Sequence, residues 1–206
     1  MLLSANQPYF APYPGFFYKV SLSDVFVILD TVQFPRGTTW LSRNRFKNDQ
    51  GAMWLTVPVW KKGLGLQRIN DVRIYHEGRW SMKHRASLET AYARSPYFEE
   101  YGHLVAEMFS EKFERLVDLN MAVIRHLLHA LHIDTRVVLL SEMEIDAEGD
   151  RLIIDICQRL GADVFLAQKP AGKFLDAALF SDAGIEIRYV TPPAPVYPQL
   201  WGDFIP

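Results

Sequence analysis

The chain has 206 residues, 49% hydrophobic and 22% charged, with a formal net charge of −2, which is enough apolar length for a substantial core and excludes a disordered or fibrous chain. No apolar run approaches the ~20 residues that cross a bilayer, and the N-terminus lacks the basic flank and cleavage region of a signal peptide. A single cysteine excludes an internal disulfide or a cysteine-cluster metal site; Cys157, among Ile153, Ile154, Ile156 and Leu160, reads as a buried thiol in a helix, which suits a cytoplasmic address.

A short apolar run, Met1-Leu2-Leu3, enters a loop dense in proline and aromatic residues, Asn6-Gln7-Pro8-Tyr9-Phe10-Ala11-Pro12-Tyr13-Pro14-Gly15-Phe16-Phe17. A second apolar run, Val25 to Leu29, ends on Asp30, and the stretch between has room for one or two helical turns. The pattern predicts strand, loop, short helix, strand. In open parallel sheets the ligand collects at the carboxyl ends of strands, which puts the loop and Asp30 at the site. The prolines fix φ and remove donors, so the loop is stiff before a ligand arrives. Gln7 and the hydroxyls of Tyr9 and Tyr13 are its polar atoms, while Phe10 and one of Phe16 and Phe17 are expected in the core.

Next come Asp30, Gln33, Trp40 and Arg43-Asn44-Arg45. A carboxylate, a glutamine, an indole and arginines can order a hydroxyl, stack a ring and hold phosphate bidentately. From Arg36 to Arg94 there are twelve Lys/Arg against four Asp/Glu, an excess that suggests an anionic ligand: nucleotide, sugar nucleotide, phospholipid head or RNA. A face whose charges pair with acidic helices of the C-terminal half is an equal alternative. Ala52 to Val59 predicts a buried strand, and Ile69 to Ile74 a further strand.

From Trp80 the period becomes helical, with Lys83 and His84 one turn beyond the tryptophan as acid or base candidates. For His84 the alternative is a packed ring whose nitrogen caps a backbone carbonyl. Ser95-Pro96 breaks this helix, and helices are expected from Pro96 to about Phe109 and from Glu111 to about His132. His126, His129 and His132 recur at threes without an acidic partner, so no metal site is expected. The last third alternates strand and helix: Thr135 to Leu140, a helix over Asp150 to Leu160, Asp163 to Ala167, a helical turn over Lys173 to Phe180, and Ile185 to Val190. That alternation predicts a parallel sheet covered by helices. Gln168-Lys169-Pro170-Ala171-Gly172-Lys173 lies at a strand's carboxyl end, where Lys169 and Lys173 can meet phosphate or simply face solvent.

The order Gln7-Pro8-Tyr9-Phe10, Pro12-Tyr13, Gly15-Phe16-Phe17, Asp30-Thr31-Val32-Gln33-Phe34, Trp40 and Arg43-Asn44-Arg45 closely resembles the WbqC-like protein family. The resemblance continues through Trp54 to Val59, Trp80 to His84, Ala93 to Phe98, Gly172 to Asp176 and Tyr197-Pro198-Gln199-Leu200. Many members carry a histidine where this chain has Asn6, and family chains usually run on past Ile205-Pro206. The resemblance implies a role in O-antigen or other surface polysaccharide biosynthesis, for some members the transfer of glycine or another small acyl group to a sugar.

The expectation is therefore a single α/β domain over residues 1–206, with a mostly parallel sheet in a nucleotidyltransferase or HUP-like layout and a helical insertion over about 80–132. Its function would be group transfer on a nucleotide-activated or sugar substrate. Asp30, Lys83 and His84 would be catalytic; Gln7, Tyr9, Tyr13, Gln33, Trp40, Arg43, Asn44, Arg45, Lys169 and Lys173 would bind substrate. An adenylyl-transferring enzyme and a non-catalytic nucleotide- or sugar-binding protein of polysaccharide assembly are the alternatives. The partner is a small anionic molecule, a nucleotide or sugar nucleotide; RNA such as tRNA is admitted but not indicated, and neither a cofactor nor an oligomeric state is implied.

Overall fold

The apolar start of the chain forms strand β1 (Leu2–Asn6). Pro14 needs no backbone donor and already has a helical φ, so the proline-dense loop passes at that residue into helix α1 (Pro14–Ser21). The second apolar run is β2 (Val25–Ile28), buried throughout, as a parallel strand covered on both faces must be. The computed structural model describes residues 1–110 and 113–205. The further elements, in order, are β3 (Arg43–Asn48), β4 (Gly51–Thr56), α2 (Trp80–Tyr92), α3 (Phe98–Met108), α4 (Leu116–Ala130), β5 (Arg136–Leu139), α5 (Gly149–Leu160), β6 (Val164–Gln168), α6 (Ala177–Asp182) and β7 (Glu186–Val190). Single 3-10 turns lie at Ile69–Asp71, Leu140–Glu142 and Lys169–Lys173.

The chain divides into two compact units. The first comprises Met1–Pro8, Tyr13–Val32 and Leu128–Ala194. Its sheet has the order β5-β2-β1-β6-β7, and every neighbouring pair is parallel. This is the α/β class expected. Counting only the strands of this sheet, the order is 3-2-1-4-5, with the direction of winding reversing between β1 and β6. One face of the sheet carries Leu3, Ala5, Val25, Val27, Phe165 and Ala167 into a core with Leu152, Ile156 and Cys157 of α5 and Phe180 of α6. On the opposite face Phe16 of α1 meets Phe26 edge to face at 5.2 Å. Full burial of each such side chain contributes roughly 1.5–3 kcal/mol. α5 ends where Gly161 takes the left-handed conformation, φ 72, and its N–H returns to the carbonyls of Cys157 and Gln158. Burial pushes the Cys157 thiol up to about 12, the inert state expected of it.

The second unit comprises Tyr9–Pro12, Gln33–Leu127 and the segment from Pro195 on. It contains the antiparallel ribbon β3–β4, with Arg43 opposite Thr56 and Arg45 opposite Trp54. The buried strand expected over Ala52 to Val59 is shorter and half open: Leu55 and Val57 are buried, whereas Ala52, Met53, Trp54 and Thr56 are exposed. A two-stranded ribbon covered on one side must show its other side to water. The strand expected over Ile69 to Ile74 is a 3-10 turn followed by isolated bridges, Val59 to Ile74 and Arg73 to Arg115. Ile69 and Val72, both fully buried, are three residues apart, the spacing that a 3-10 turn eclipses on one side.

The helices expected from Trp80 and Pro96 are α2 and α3. The next was expected from Glu111, which lies outside the described residues; α4 starts at Leu116 because the backbone before it is taken into bridges, Ile74 N donating to Glu114 O at 2.8 Å and Leu116 N to Val72 O at 2.9 Å. In the first unit, the helical turn expected over Lys173 to Phe180 splits in two. Asp176 caps α6 by accepting from Ala178 N at 3.0 Å, so the helix begins at Ala177.

Candidate functional site

The candidate residues fall into two sets, one per unit. In the first unit, β1 and β6 end side by side where the winding reverses, the place where open α/β sheets leave a crevice for a ligand. β1 delivers Asn6 and Gln7, both half-buried, and β6 delivers Gln168 and the exposed Lys169. Tyr13, 47% exposed, reaches Gln168: its hydroxyl donates to Oε1 at 3.1 Å or accepts from Nε2 at 2.8 Å. Gln168 also precedes the 3-10 turn that carries Lys169 and Lys173. That turn lies close to the Tyr189 ring, since a Cβ on Gly172 would meet it at 3.0 Å, tighter than ordinary packing. Both lysines are exposed, and among the described residues neither has an ion-pair partner.

Beneath the end of β1 lies a residue that the sequence reading passed over. Lys19 is 3% exposed, and its Nζ donates to Ala5 O and to Asn6 Oδ1, each at 2.8 Å. Desolvation lowers its pKa to about 8, and among the described residues no carboxylate pairs with it to hold the charge. The signal was its spacing: Lys19 falls three residues after Phe16 and one before Val20, inside the buried stripe of α1.

Asp30, 2% exposed, accepts from Ser141 twice, from N at 2.9 Å and from Oγ at 2.6 Å. It thereby ties the end of β2 to the 3-10 turn after β5. Its two oxygens each hold a protein donor.

In the second unit, Phe10 is fully buried and anchors the loop by donating its N–H to Trp40 O at 2.8 Å. Asn44 Nδ2 donates to Phe10 O at 3.1 Å and Ala11 O at 2.6 Å, and its Oδ1 accepts from Arg45 N at 2.7 Å. Its amide nitrogen thus holds Tyr9–Pro12, where Ala11 is left-handed at φ 44, while its oxygen is taken by its own strand. Gln33 is exposed and bridges to Arg68. Trp40 and Trp54 are 44% and 45% exposed, their rings 5.5 Å apart. The Arg43 guanidinium stacks 3.6 Å over the Trp54 ring, with Arg45 at 6.0 Å. Trp54 belongs to this group, and reading its strand as buried concealed it.

His84 lies against Trp80 and Phe109, ring centroids 5.8 and 5.9 Å away. Its Nε2 is 2.9 Å from Thr56 O and 3.3 Å from Thr56 N, so it clasps α2 to the end of β4. This is the packed, carbonyl-capping arrangement. Lys83 is exposed. Among the described residues no group of three or more His, Cys, Asp or Glu could hold a metal ion, and no helix is long and apolar enough to cross a membrane.

The model of the WbqC-like protein family matches residues 7–206 of the chain. The chain is also similar to the uncharacterized protein Rv1507c of Mycobacterium tuberculosis, 30% identical over 204 residues, covering 97% of this chain and 87% of that protein. No solved structure matches.

Proposed function

Because the chain belongs to the WbqC-like protein family, we propose that it is a group transferase of surface polysaccharide biosynthesis, O-antigen assembly included, acting in the cytoplasm on a nucleotide-activated or sugar substrate. The donor is an aminoacyl, glycyl or related group carried on a nucleotide, held at the carboxyl ends of β1 and β6. The observation that carries this reading is the reversal of strand order between those two strands, with Gln7, Tyr13, Gln168, Lys169 and Lys173 gathered on the segments that leave them. In this scheme Gln7 and Gln168 hydrogen-bond the base or ribose and Tyr13 offers a ring face; a hydroxyl oxygen of the acceptor sugar bonds the acyl carbon and releases its proton to solvent as the acyl–phosphate bond breaks, and Lys169 and Lys173 neutralise the nucleotide phosphate that leaves with the bonding electron pair. Asp30, Asn44 and His84 act as framework, since each already holds backbone or hydroxyl groups of the protein.

A second reading, a non-catalytic nucleotide- or sugar-binding protein, is favoured by that same engagement of Asp30 and His84, which leaves Lys83 as the exposed acid or base candidate of the three. The 3-2-1-4-5 order also suits an adenylyl-transferring enzyme.

Thermal denaturation with a panel of nucleotides and sugar nucleotides tests the shared premise. A ligand at about 100 times its Kd should stabilise the fold by about 2.7 kcal/mol. The double variant Lys169→Ala/Lys173→Ala should bind it at least about tenfold more weakly, from the loss of two cationic phosphate contacts. If no member of the panel raises the midpoint, the nucleotide reading fails. Release of free nucleotide on adding acceptor sugars would then separate transferase from binder.

A further inference from the structure

We infer that the outward face of the β3–β4 ribbon in the second unit is a binding platform for single-stranded nucleic acid. In an antiparallel ribbon, directly opposed residues share a face. Arg45 opposes Trp54 and Arg43 opposes Thr56, whereas Asn44 and Leu55 form the pair on the other face. Leu55 is 6% exposed and Asn44 is bonded to the loop Tyr9–Pro12, so that second face is the inward one. The outward row is Arg43, Arg45 and Trp54, extended by Trp40 beside Trp54.

Three features of this row point to the same ligand. Two tryptophans leave 44% and 45% of their surface in water, an apolar exposure that a stacking partner would remove. The Arg43 guanidinium sits over one of them, 3.6 Å from the ring centroid, and guanidinium groups and indoles are both surfaces on which bases stack. The charge is also unspent: of the twelve Lys/Arg between Arg36 and Arg94, among the described residues only Arg73 and Arg85 form ion pairs, with Glu114 and Glu89. Arg45 is exposed and free to take a phosphodiester.

The row is open surface. Two cavities, of about 410 and 260 Å³, are lined by Ala177 to Tyr189 and by Phe34, Lys61 and their neighbours, and none of Trp40, Arg43, Arg45 and Trp54 lines either. An exposed cluster of indoles and guanidinium groups around Trp54 suits a strand whose bases stack while its backbone is neutralised. In a duplex the base faces are already stacked and cannot reach the indoles. The inference stands on the second unit alone and does not depend on the nucleotide reading of the first.

Fluorescence anisotropy of the full chain with labelled oligouridylate and oligodeoxythymidylate, each of about 12 nucleotides, tests it. A duplex of the same length and a heparin oligosaccharide serve as the other polyanions. Saturable binding to a single strand is expected, weakened at least about tenfold by Trp54→Ala or Trp40→Ala and largely retained in Trp54→Phe. Arg45→Ala should make the slope of log affinity against log salt shallower by about 0.7, one phosphate's worth. Comparing the ribo- with the deoxyribo-oligomer assigns the strand to RNA or DNA. The inference is overturned if neither strand binds at low salt, if duplex or heparin binds as tightly as the single strands, or if Trp54→Ala and Trp40→Ala, still melting as the wild type does, bind unchanged.

Discussion

Asp30→Ala should lower the free energy of unfolding by about 3 kcal/mol, because two hydrogen bonds to a charged acceptor, each contributing about 1.5–3 kcal/mol, are lost together. The acceptor is 2% exposed, and both donors belong to Ser141, 111 residues further along the chain. The bond therefore closes the sheet between the end of β2 and the turn after β5, and water cannot readily take its place at the buried end. Ser141→Ala should cost about half as much, since the backbone N–H keeps its partner. Urea denaturation of the two single variants and the double variant supplies the check, with a coupling above ~1 kcal/mol expected for residues in direct contact. A coupling near zero would return Asp30 to the list of residues free to meet a ligand.

The second large effect belongs to Lys19 and depends on pH. Its folded pKa, about 8, lies below the ordinary value of 10.5, so between those values the unfolded chain binds the extra proton. Stability must then rise with pH across that window and be lowest below it, where the folded protein carries a buried ammonium. Between about pH 8 and about pH 9.5 the Lys19 contribution, read as the difference between wild type and Lys19→Met, should rise by roughly 1.5 kcal/mol, at nearly 1.36 kcal/mol per pH unit once the folded amine is neutral. A neutral amine can still donate one hydrogen to Ala5 O and one to Asn6 Oδ1. Lys19→Met should remove this slope while changing stability little at neutral pH, because the relief of a desolvated charge offsets two acceptors left unpaired. The measurement is chemical denaturation of both proteins at several pH values below 10, before tyrosines titrate. Parallel pH profiles would show that Lys19 titrates as an ordinary exposed lysine.

The parts of the fold that were legible in the sequence are those governed by local periodicity. Val25 to Ile28 reads as strand because it lies in five consecutive apolar residues, Val25 to Leu29, that run up to Asp30, and α2 reads as helix because Trp80, His84, Leu88 and Ala91 recur at its period. What local pattern does not carry is pairing. Nothing near Leu2 or Val164 says that β6 lies against β1, and the proposed strand-end site depends on that neighbour. Burial misled at Trp54 for the same reason: an apolar run looks the same whether one face or both are covered, and only its single partner, β3, shows that it is a ribbon. Asp30 stood at a strand end as expected, but its engagement with Ser141 comes from a contact over 111 residues. Lys19 was legible in principle, as a cation in the buried stripe of α1, and it marks the same strand end as Gln7.

In the proposed function, the ends of β1 and β6 receive the nucleotide part of the substrate. The side-chain amide resonances of Gln7 and Gln168, assigned through Gln7→Leu and Gln168→Leu, report on it directly during titration of the isotope-labelled protein with the nucleotide or sugar nucleotide that gives the largest thermal shift. Both amides should move together and saturate with the dissociation constant found by calorimetry. Binding that leaves both unmoved, while resonances at the opposite end of the sheet around Ser23 and Asp163 shift, would contradict it.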